Sequence, residues 1–218
     1  MNQSASARFR ALLKKPGCIV APGVADALAA RLVALEGFDV VYMTGFGTSL
    51  TRLGAPDVGL LTATEMVDNA ARIVDASGLP VIADADTGYG NPINMRRTIR
   101  DYERAGVAGV HVEDQVWPKR CGHLAGKRVI STVEMVAKIR AACDVRADPD
   151  FTIIARCDAI AVEGFEAALE RGERYREAGA DMRERAATFK EFTEIAGLPE
   201  IQQLEERYGV PEDQRASL

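Results

Sequence analysis

Short runs of β-branched and apolar residues alternate along this chain with longer Ala-rich segments whose apolar residues recur every three or four positions. A short continuous apolar run predicts a buried strand, and the longer spacing predicts an amphipathic helix. The predicted strands are CIVAPGV (18–24), DVVYMTG (39–45), PVIADAD (80–86), GVHVEDQ (109–115) and FTIIARCD (151–158). The predicted helices cover 25–37, 62–78, 94–106 and 131–143, and three of them end at glycine.

Five successive strand–helix units predict a parallel sheet with right-handed crossovers in a single domain. A doubly wound open sheet and a barrel share this rhythm, so the pattern alone leaves the two open. Both folds bind ligands at the carboxyl ends of their strands. We therefore expect the functional side chains at those ends.

Acidic residues gather where the predicted strands end. Asp84 and Asp86 close the third strand and Glu113 closes the fourth, and side chains two residues apart on a strand share a face. A single Asp at such a place is more often a turn former or a helix cap. Three carboxylates in one mouth repel one another unless a cation lies among them, which favours Mg²⁺, with Mn²⁺ as the alternative. Asp57, in LGAPDVG, is a weaker fourth candidate ligand.

Cys121 is the candidate proton donor. It follows Lys119 and Arg120 and precedes Gly122 and His123, in a loop after a strand end. A lone cysteine is more often a small buried hydrophobe, but neighbouring cations favour the thiolate and suit a thiol to proton transfer. His123 is expected to orient the loop or the substrate, together with Gly122.

Two further groups could hold an anionic substrate. Thr44, Gly45 and Phe46, after the second strand, can present backbone N–H groups and a hydroxyl to a carboxylate. Arg156, at the end of the fifth strand, can grip a second carboxylate or a developing enolate oxygen. With a divalent cation and an acidic thiol, these groups suit carbon–carbon cleavage of a 2-hydroxy or 2-keto acid through an enolate-like intermediate.

Composition narrows the class of protein. The 218 residues are 47% hydrophobic and 27% charged, with a net charge of −5. These values are ordinary for a soluble globular protein and argue against a nucleic-acid partner, which would require a basic face. Because the chain shows no signal-peptide or membrane-spanning pattern, we expect no membrane partner and a cytoplasmic location.

Five motifs resemble, in order and spacing, those of the isocitrate lyase and phosphoenolpyruvate mutase superfamily, from about residue 10 to 181. They are YMTGFG, LGAPDVG, VIADADTGYG, HVEDQVWPKRCGH and ARCDA. The resemblance implies a (β/α)8 barrel that assembles as a homodimer or homotetramer and acts on a small carboxylate. It also implies that Asp84 binds Mg²⁺ directly, with Asp57, Asp86 and Glu113 acting largely through water. The implied substrate-binding residues are Thr44, Gly45 and Phe46, with Tyr42 and Arg156 flanking the reacting oxygen and Cys121 donating the proton.

The KRCGH loop resembles the lyase branch, which acts on methylisocitrate or 2,3-dimethylmalate. Oxaloacetate hydrolysis and carbon–phosphorus rearrangement are the alternatives within the superfamily, and an inactive assembly partner of a full-length relative is a third possibility. Residues 182–218 have a helical pattern and leave too little chain for three more strand–helix units. The sequence therefore predicts five units plus a helical tail, that is, an incomplete barrel with an internal deletion.

Overall fold

The computed structural model describes residues 3–122 and 126–185, and within them six parallel strands form one sheet in the order β1 to β6. The strands are β1 Gly23–Val24, β2 Val41–Met43, β3 Val81–Asp84, β4 Gly109–Glu113, β5 Thr152–Cys157 and β6 Met182–Arg185. Each strand pairs with the next one along the chain. This order is the one that consecutive strand–helix units produce in a barrel-type sheet.

Within the described ranges, eight helices connect and cover these strands. They are α1 Ala5–Leu13, α2 Ala27–Leu35, α3 Gly45–Leu53, α4 Ala63–Ser77, α5 Pro92–Arg104, α6 Thr132–Val145, α7 Ile160–Glu163 and α8 Phe165–Glu177. Side-chain caps fix several of their starts. In α4 the Thr62 hydroxyl accepts from the Glu65 N–H while the Glu65 carboxylate accepts from the Thr62 N–H, and Gly78 ends the helix in a left-handed conformation. None of the helices within the described ranges is both long and apolar enough to cross a membrane.

Strand register places the polar chemistry on one face of the sheet. Asp84 on β3 pairs with His111 on β4, which pairs with Ile154 on β5. One layer further toward the carboxyl ends, Glu113 pairs with Arg156. Because side chains alternate, these residues share the face that carries Ile82 and Ile154.

The same face is apolar toward the amino ends of the strands. There Phe9 of α1 packs with Val40, Ile82, Ala108 and Ile154, all of them buried. The opposite face packs against the helices in a larger apolar cluster. Helix α1 thus covers the amino end of the face that carries Ile82 and Ile154, which is the inner face of the sheet. The polar residues lie at the carboxyl end of the same face.

Two features of the fold depart from the sequence prediction. Bounds were not predicted for helices α1, α3, α7 and α8, and 182–185 forms β6 where a helical tail was predicted. The β6 backbone pairs with β5 from Ile154 to Cys157, and this pairing overrides the local pattern. The prediction of five units was therefore one strand short. The rest of the predicted tail, 186–218, lies outside the described residues, as does His123.

Candidate active site

Asp84 and Asp86 lie side by side at the end of β3, both buried. The Asp86 N–H donates to Asp84 Oδ1 at 2.9 Å, and the Gly45 N–H donates to Asp84 Oδ2 at 3.3 Å. The strand ends at Asp84, and Asp86 has a φ of 48°, in the left-handed region that non-glycine residues rarely adopt. The two carboxyls therefore approach through a strained turn, not through the strand alternation that the sequence predicted.

Lys119 is the main cation among these acids. Its Nζ lies 2.9 Å from Asp86 Oδ1 and also donates to Asp57 Oδ2, and the side chain is 3% exposed. Burial lowers the Lys119 pKa, but the surrounding carboxylates outweigh burial and raise it above its usual value. The sequence analysis placed Lys119 beside the thiol, whereas its ammonium group is directed toward the acids.

Glu113 and Arg156 form a second charged pair, at the ends of the neighbouring strands β4 and β5. Arg156 Nη1 lies 3.2 Å from Glu113 Oε2, and its Nε lies 2.9 Å from Asp158 Oδ2. Glu113 is 1% exposed, and its Oε1 is buried without a hydrogen-bond partner among the described residues. A buried oxygen of this kind is costly unless a ligand or an ion completes it.

The pKa shifts of the acids reflect this crowding. Burial, followed by the charge of Asp84, raises the pKa of Asp86 to about 6. Burial raises the pKa of Glu113 well above its usual value, against the opposing effect of Arg156. Burial also acts to raise the Asp84 pKa, but His111, Lys119 and Arg156 outweigh burial and lower it.

The donor chemistry of the site fits a hard divalent cation. The side chains of Asp84, Asp86 and Glu113 offer only oxygen atoms as ligands. Of these, Glu113 Oε1 has no hydrogen-bond partner among the described residues. Within 3–122 and 126–185, no group of three His, Cys, Asp or Glu side chains is already arranged to hold a metal ion. Lys119 holds Asp86 in this arrangement, so a cation would compete with its ammonium group for that carboxylate.

Cys121 and Gly122 lie on the same side as Arg156. Cys121 is 7% exposed, and a Cβ on Gly122 would fall 2.5 Å from Arg156 Nη2. The backbone beside the thiol therefore passes in direct contact with the guanidinium group. The predicted partner His123 lies in the part of the chain that is not described.

The remaining predicted site residues come from β2 and the start of α3. The Tyr42 hydroxyl and His111 Nδ1 lie 2.9 Å apart. Thr44 caps α3, its hydroxyl accepting from the Gly47 N–H at 3.3 Å. Phe46 is 47% exposed. Their predicted contacts with substrate stay predictions, although the amino end of α3 does face the acids through the Gly45 N–H.

Sequence reasoning missed two charged residues beside the site, Lys127 and Asp114. Lys127 is buried and lies 2.9 Å from Asp158. Asp114 accepts from the Asp158 N–H at 2.8 Å. Neither residue had a local sequence signal, because each lies directly beside another charged residue. The shared partner, Asp158, lies more than thirty residues away along the chain.

Comparison with known proteins identifies the family. Residues 9–191 match the family model described as phosphoenolpyruvate phosphomutase. The chain belongs to the isocitrate lyase and phosphoenolpyruvate mutase superfamily. Among curated relatives, it is 56% identical over 177 residues to the 2,3-dimethylmalate lyase of Eubacterium barkeri. That alignment covers 81% of this chain and 61% of the relative, so the chain spans about three fifths of the relative's length.

Solved structures of superfamily members share the fold. A 2,3-dimethylmalate lyase superposes with a TM-score of 0.81 at 36% identity, covering 97% of this chain and 88% of that one. An oxaloacetate acetylhydrolase in complex with 3,3-difluorooxalacetate gives 0.80 at 46% identity, covering 84% and 63%. These matches confirm the barrel-type α/β prediction and the superfamily assignment.

Proposed function

We propose that this protein is a magnesium-dependent carbon–carbon lyase that cleaves a small 2-hydroxy di- or tricarboxylate into a 2-keto acid and a second carboxylate. One observation carries the proposal. Buried carboxylates, an arginine whose side chain is 12% exposed and a cysteine-bearing segment meet at the carboxyl ends of neighbouring parallel strands, where enzymes of this architecture place their active sites.

The relatives support this reaction class and the kind of substrate. The named activity of the Eubacterium barkeri relative is that of a lyase for a dimethylated 2-hydroxy dicarboxylate, so 2,3-dimethylmalate is the first substrate to test. 2-Methylisocitrate is the second, because the KRCGH loop resembles the same branch. The chain spans 61% of that relative's length, so the same activity is a proposal for this chain.

Mg²⁺ would be held by Asp84, Asp86 and Glu113. Asp57 lies close to this group, because Lys119 contacts both Asp57 and Asp86. When bound, it supplies positive charge to the oxygens of the substrate and of the enolate-like product. Arg156, held by Glu113 and Asp158, would bind the reacting oxygen or a carboxylate with its fixed fork of N–H groups.

The chain's own proton chemistry completes the reaction. The 2-hydroxyl gives its proton to the pair formed by Tyr42 and His111, whose hydroxyl and Nδ1 lie 2.9 Å apart. The bond between the hydroxyl-bearing carbon and its neighbour breaks, the carbonyl of the 2-keto acid forms, and the electron pair of the broken bond stays on the carbon next to the departing carboxylate. The Cys121 thiol then gives its proton to that carbon. The N–H groups at the start of α3 and the Thr44 hydroxyl would hold a substrate carboxylate.

The test uses purified protein with Mg²⁺ and either 2,3-dimethylmalate or 2-methylisocitrate. We expect a 2-keto acid to accumulate, turnover to stop on chelation, and Cys121→Ser to abolish turnover while the circular dichroism spectrum is unchanged. Cys18→Ser, at an exposed cysteine, is the matched control and should retain full activity. Turnover that survives both chelation and Cys121→Ser would refute the mechanism.

A second candidate reaction is hydrolysis of oxaloacetate to oxalate and acetate, favoured by the 46% identity to the oxaloacetate acetylhydrolase. It separates from the lyase reaction in a single experiment, because proton NMR distinguishes acetate from a 2-keto acid. A third candidate, an inactive assembly partner, predicts no product from any of these substrates together with co-purification of a complete homologue.

We also propose that the chain forms a homodimer or homotetramer. Leucines project outward on α2 at helical spacing, with Leu28, Leu32 and Leu35 between 54% and 73% exposed. A contiguous apolar stripe of this kind is typical of an interface. Sedimentation of the purified chain tests the proposal, and a species with the mass of one chain would count against it.

A further inference from the structure

Lys127 makes two bonds that join separate parts of the site. The side chain is 9% exposed, and its Nζ donates to the Gly122 carbonyl at 2.8 Å and to Asp158 Oδ1 at 2.9 Å. Gly122 follows Cys121 directly, whereas Asp158 follows β5. One buried ammonium group therefore ties the cysteine loop to the end of β5.

Asp158 is a rigid anchor for this tie. It is fully buried, and its N–H donates to Asp114 Oδ1 at 2.8 Å. The other oxygen of Asp114 accepts from the Tyr175 hydroxyl at 2.7 Å and lies 3.5 Å from Arg171 Nη1. Groups held by several bonds from a helix and two strands move little.

Asp158 also holds Arg156. Its Oδ2 lies 2.9 Å from Arg156 Nε, and its Oδ1 accepts from Arg156 Nη2 at 3.1 Å. Oδ1 is thus shared between Lys127 and Arg156. A Cβ on Gly122 would fall 2.5 Å from Nη2, so any larger residue at that position would require the backbone or the guanidinium group to shift.

We infer that Lys127 is a positioning residue that holds Cys121 and Gly122 against Arg156 by bridging the Gly122 carbonyl to Asp158. The proposal rests on the proposed function for its kinetic consequence, but its structural consequence, the protection of the Cys121 thiol, is measured without any substrate. Without the ammonium group, the Gly122 carbonyl loses this donor and Asp158 loses a cation that contacts it alongside Arg156. Cys121 and Gly122 then move away from Arg156, and the thiol becomes accessible.

The test compares Lys127→Met, which keeps the length of the side chain but has no donor, with Arg146→Met. Arg146 is the matched control because it also donates to one backbone carbonyl, of Phe151, and to one carboxylate, of Asp181. It lies at the amino end of the sheet. Lys127→Arg restores a cation and should restore part of the effect.

The first readout is the alkylation rate of each cysteine by an uncharged reagent, followed by peptide mass spectrometry. A pH series extrapolated to full ionisation removes any effect of the lost charge on the thiol itself. We expect Cys121 in Lys127→Met to react roughly tenfold faster or more, as a locally opened segment does, while Cys157 and the Arg146→Met variant keep the wild-type rate. An unchanged Cys121 rate, or an equal increase in Arg146→Met, would overturn the proposal.

The second readout is kinetic. If the chain is a lyase, Lys127→Met should lower kcat roughly tenfold to a hundredfold with little change in KM, because the substrate's metal and arginine contacts remain. Should the chain prove inactive, the alkylation result still decides the loop proposal. Should Lys127→Met fail to fold, Lys127→Gln replaces it: its uncharged amide is one atom shorter and cannot span the Gly122 carbonyl and Asp158, and an unchanged Cys121 rate there would equally reject the inference.

Discussion

The two ends of the inner face of this sheet are built from similar residues for opposite purposes. At the amino end, Asp181 has both oxygens bonded to arginines, Oδ1 to Arg10 and Oδ2 to Arg146, each at 2.6 Å. Phe9 packs in the apolar layer at the same end. At the carboxyl end, the buried Oε1 of Glu113 has no hydrogen-bond partner among the described residues.

This difference shows where the fold tolerates strain. The carboxyl end concentrates carboxylates with raised pKa values and holds Asp86 in a left-handed conformation. Such arrangements cost stability and persist where a ligand or a reaction uses them. The amino end has paired charges and close packing, which stabilise the chain. Substitutions at each end of the sheet test this difference.

The largest effect on stability is expected at the amino end. Phe9→Ala removes a ring that is 2% exposed and should lower the free energy of unfolding by about 3–5 kcal/mol. Urea unfolding measures the loss, and activity per folded molecule should not change. Phe165→Ala, at a ring that is 56% exposed, is the control. Equal losses in the two variants would contradict the assigned packing of α1.

A matched pair of substitutions, one on β5 and one in the segment before it, separates catalysis from stability. Arg156→Lys loses the fork that spans Glu113 and Asp158 and should lower kcat roughly 10²–10³-fold. Arg146→Lys, at the amino end, should leave kcat unchanged while costing stability. Steady-state kinetics and thermal unfolding of both variants give the comparison, which fails if the two lose activity to the same extent.

Glu113→Gln tests the cation site. The amide keeps the shape of the side chain but removes the charge beside the partnerless oxygen, so Mg²⁺ affinity should fall roughly tenfold to a hundredfold. Isothermal titration calorimetry measures it, with Glu177→Gln as the exposed control. Unaltered affinity in Glu113→Gln would remove this residue from the site.

The smallest effect is on the pH dependence of stability without metal. The pKa of Asp86 is about 6 in the folded chain, whereas the ordinary pKa of an aspartate is 3.8. As the pH rises, the folded chain therefore still holds this proton after the unfolded chain has lost it. Its contribution to the free energy of unfolding therefore falls as the pH rises through this window, by roughly 1–3 kcal/mol.

Asp86→Asn should flatten that part of the pH profile, because the proton is no longer there to lose. Asp144→Asn, at an exposed aspartate, should leave the profile as it is in the wild type. Urea midpoints measured between about pH 4 and pH 7 make the comparison. A profile in Asp86→Asn with the wild-type slope would show that other groups carry the dependence.

Local pattern was enough to predict much of this protein. The alternation of short apolar runs with amphipathic segments predicted β2 to β5 and the helices α2, α4, α5 and α6, because burial on both faces and helical periodicity are written in consecutive residues. The motifs identified the superfamily, and the strand ends predicted charged residues at the carboxyl end of the sheet, where the register pairs Glu113 with Arg156 and Asp84 with His111.

Tertiary structure alone decided the rest. Strand β6 forms because the edge of β5 offers backbone partners, and nothing in MRER itself favours a strand. Lys119 is directed toward Asp57 and Asp86, and Lys127 toward Asp158, because each buried ammonium group must find carboxylates that are distant in sequence. Sequence determines which charges a chain carries near its strand ends, but which charges pair depends on distances that exist only after folding.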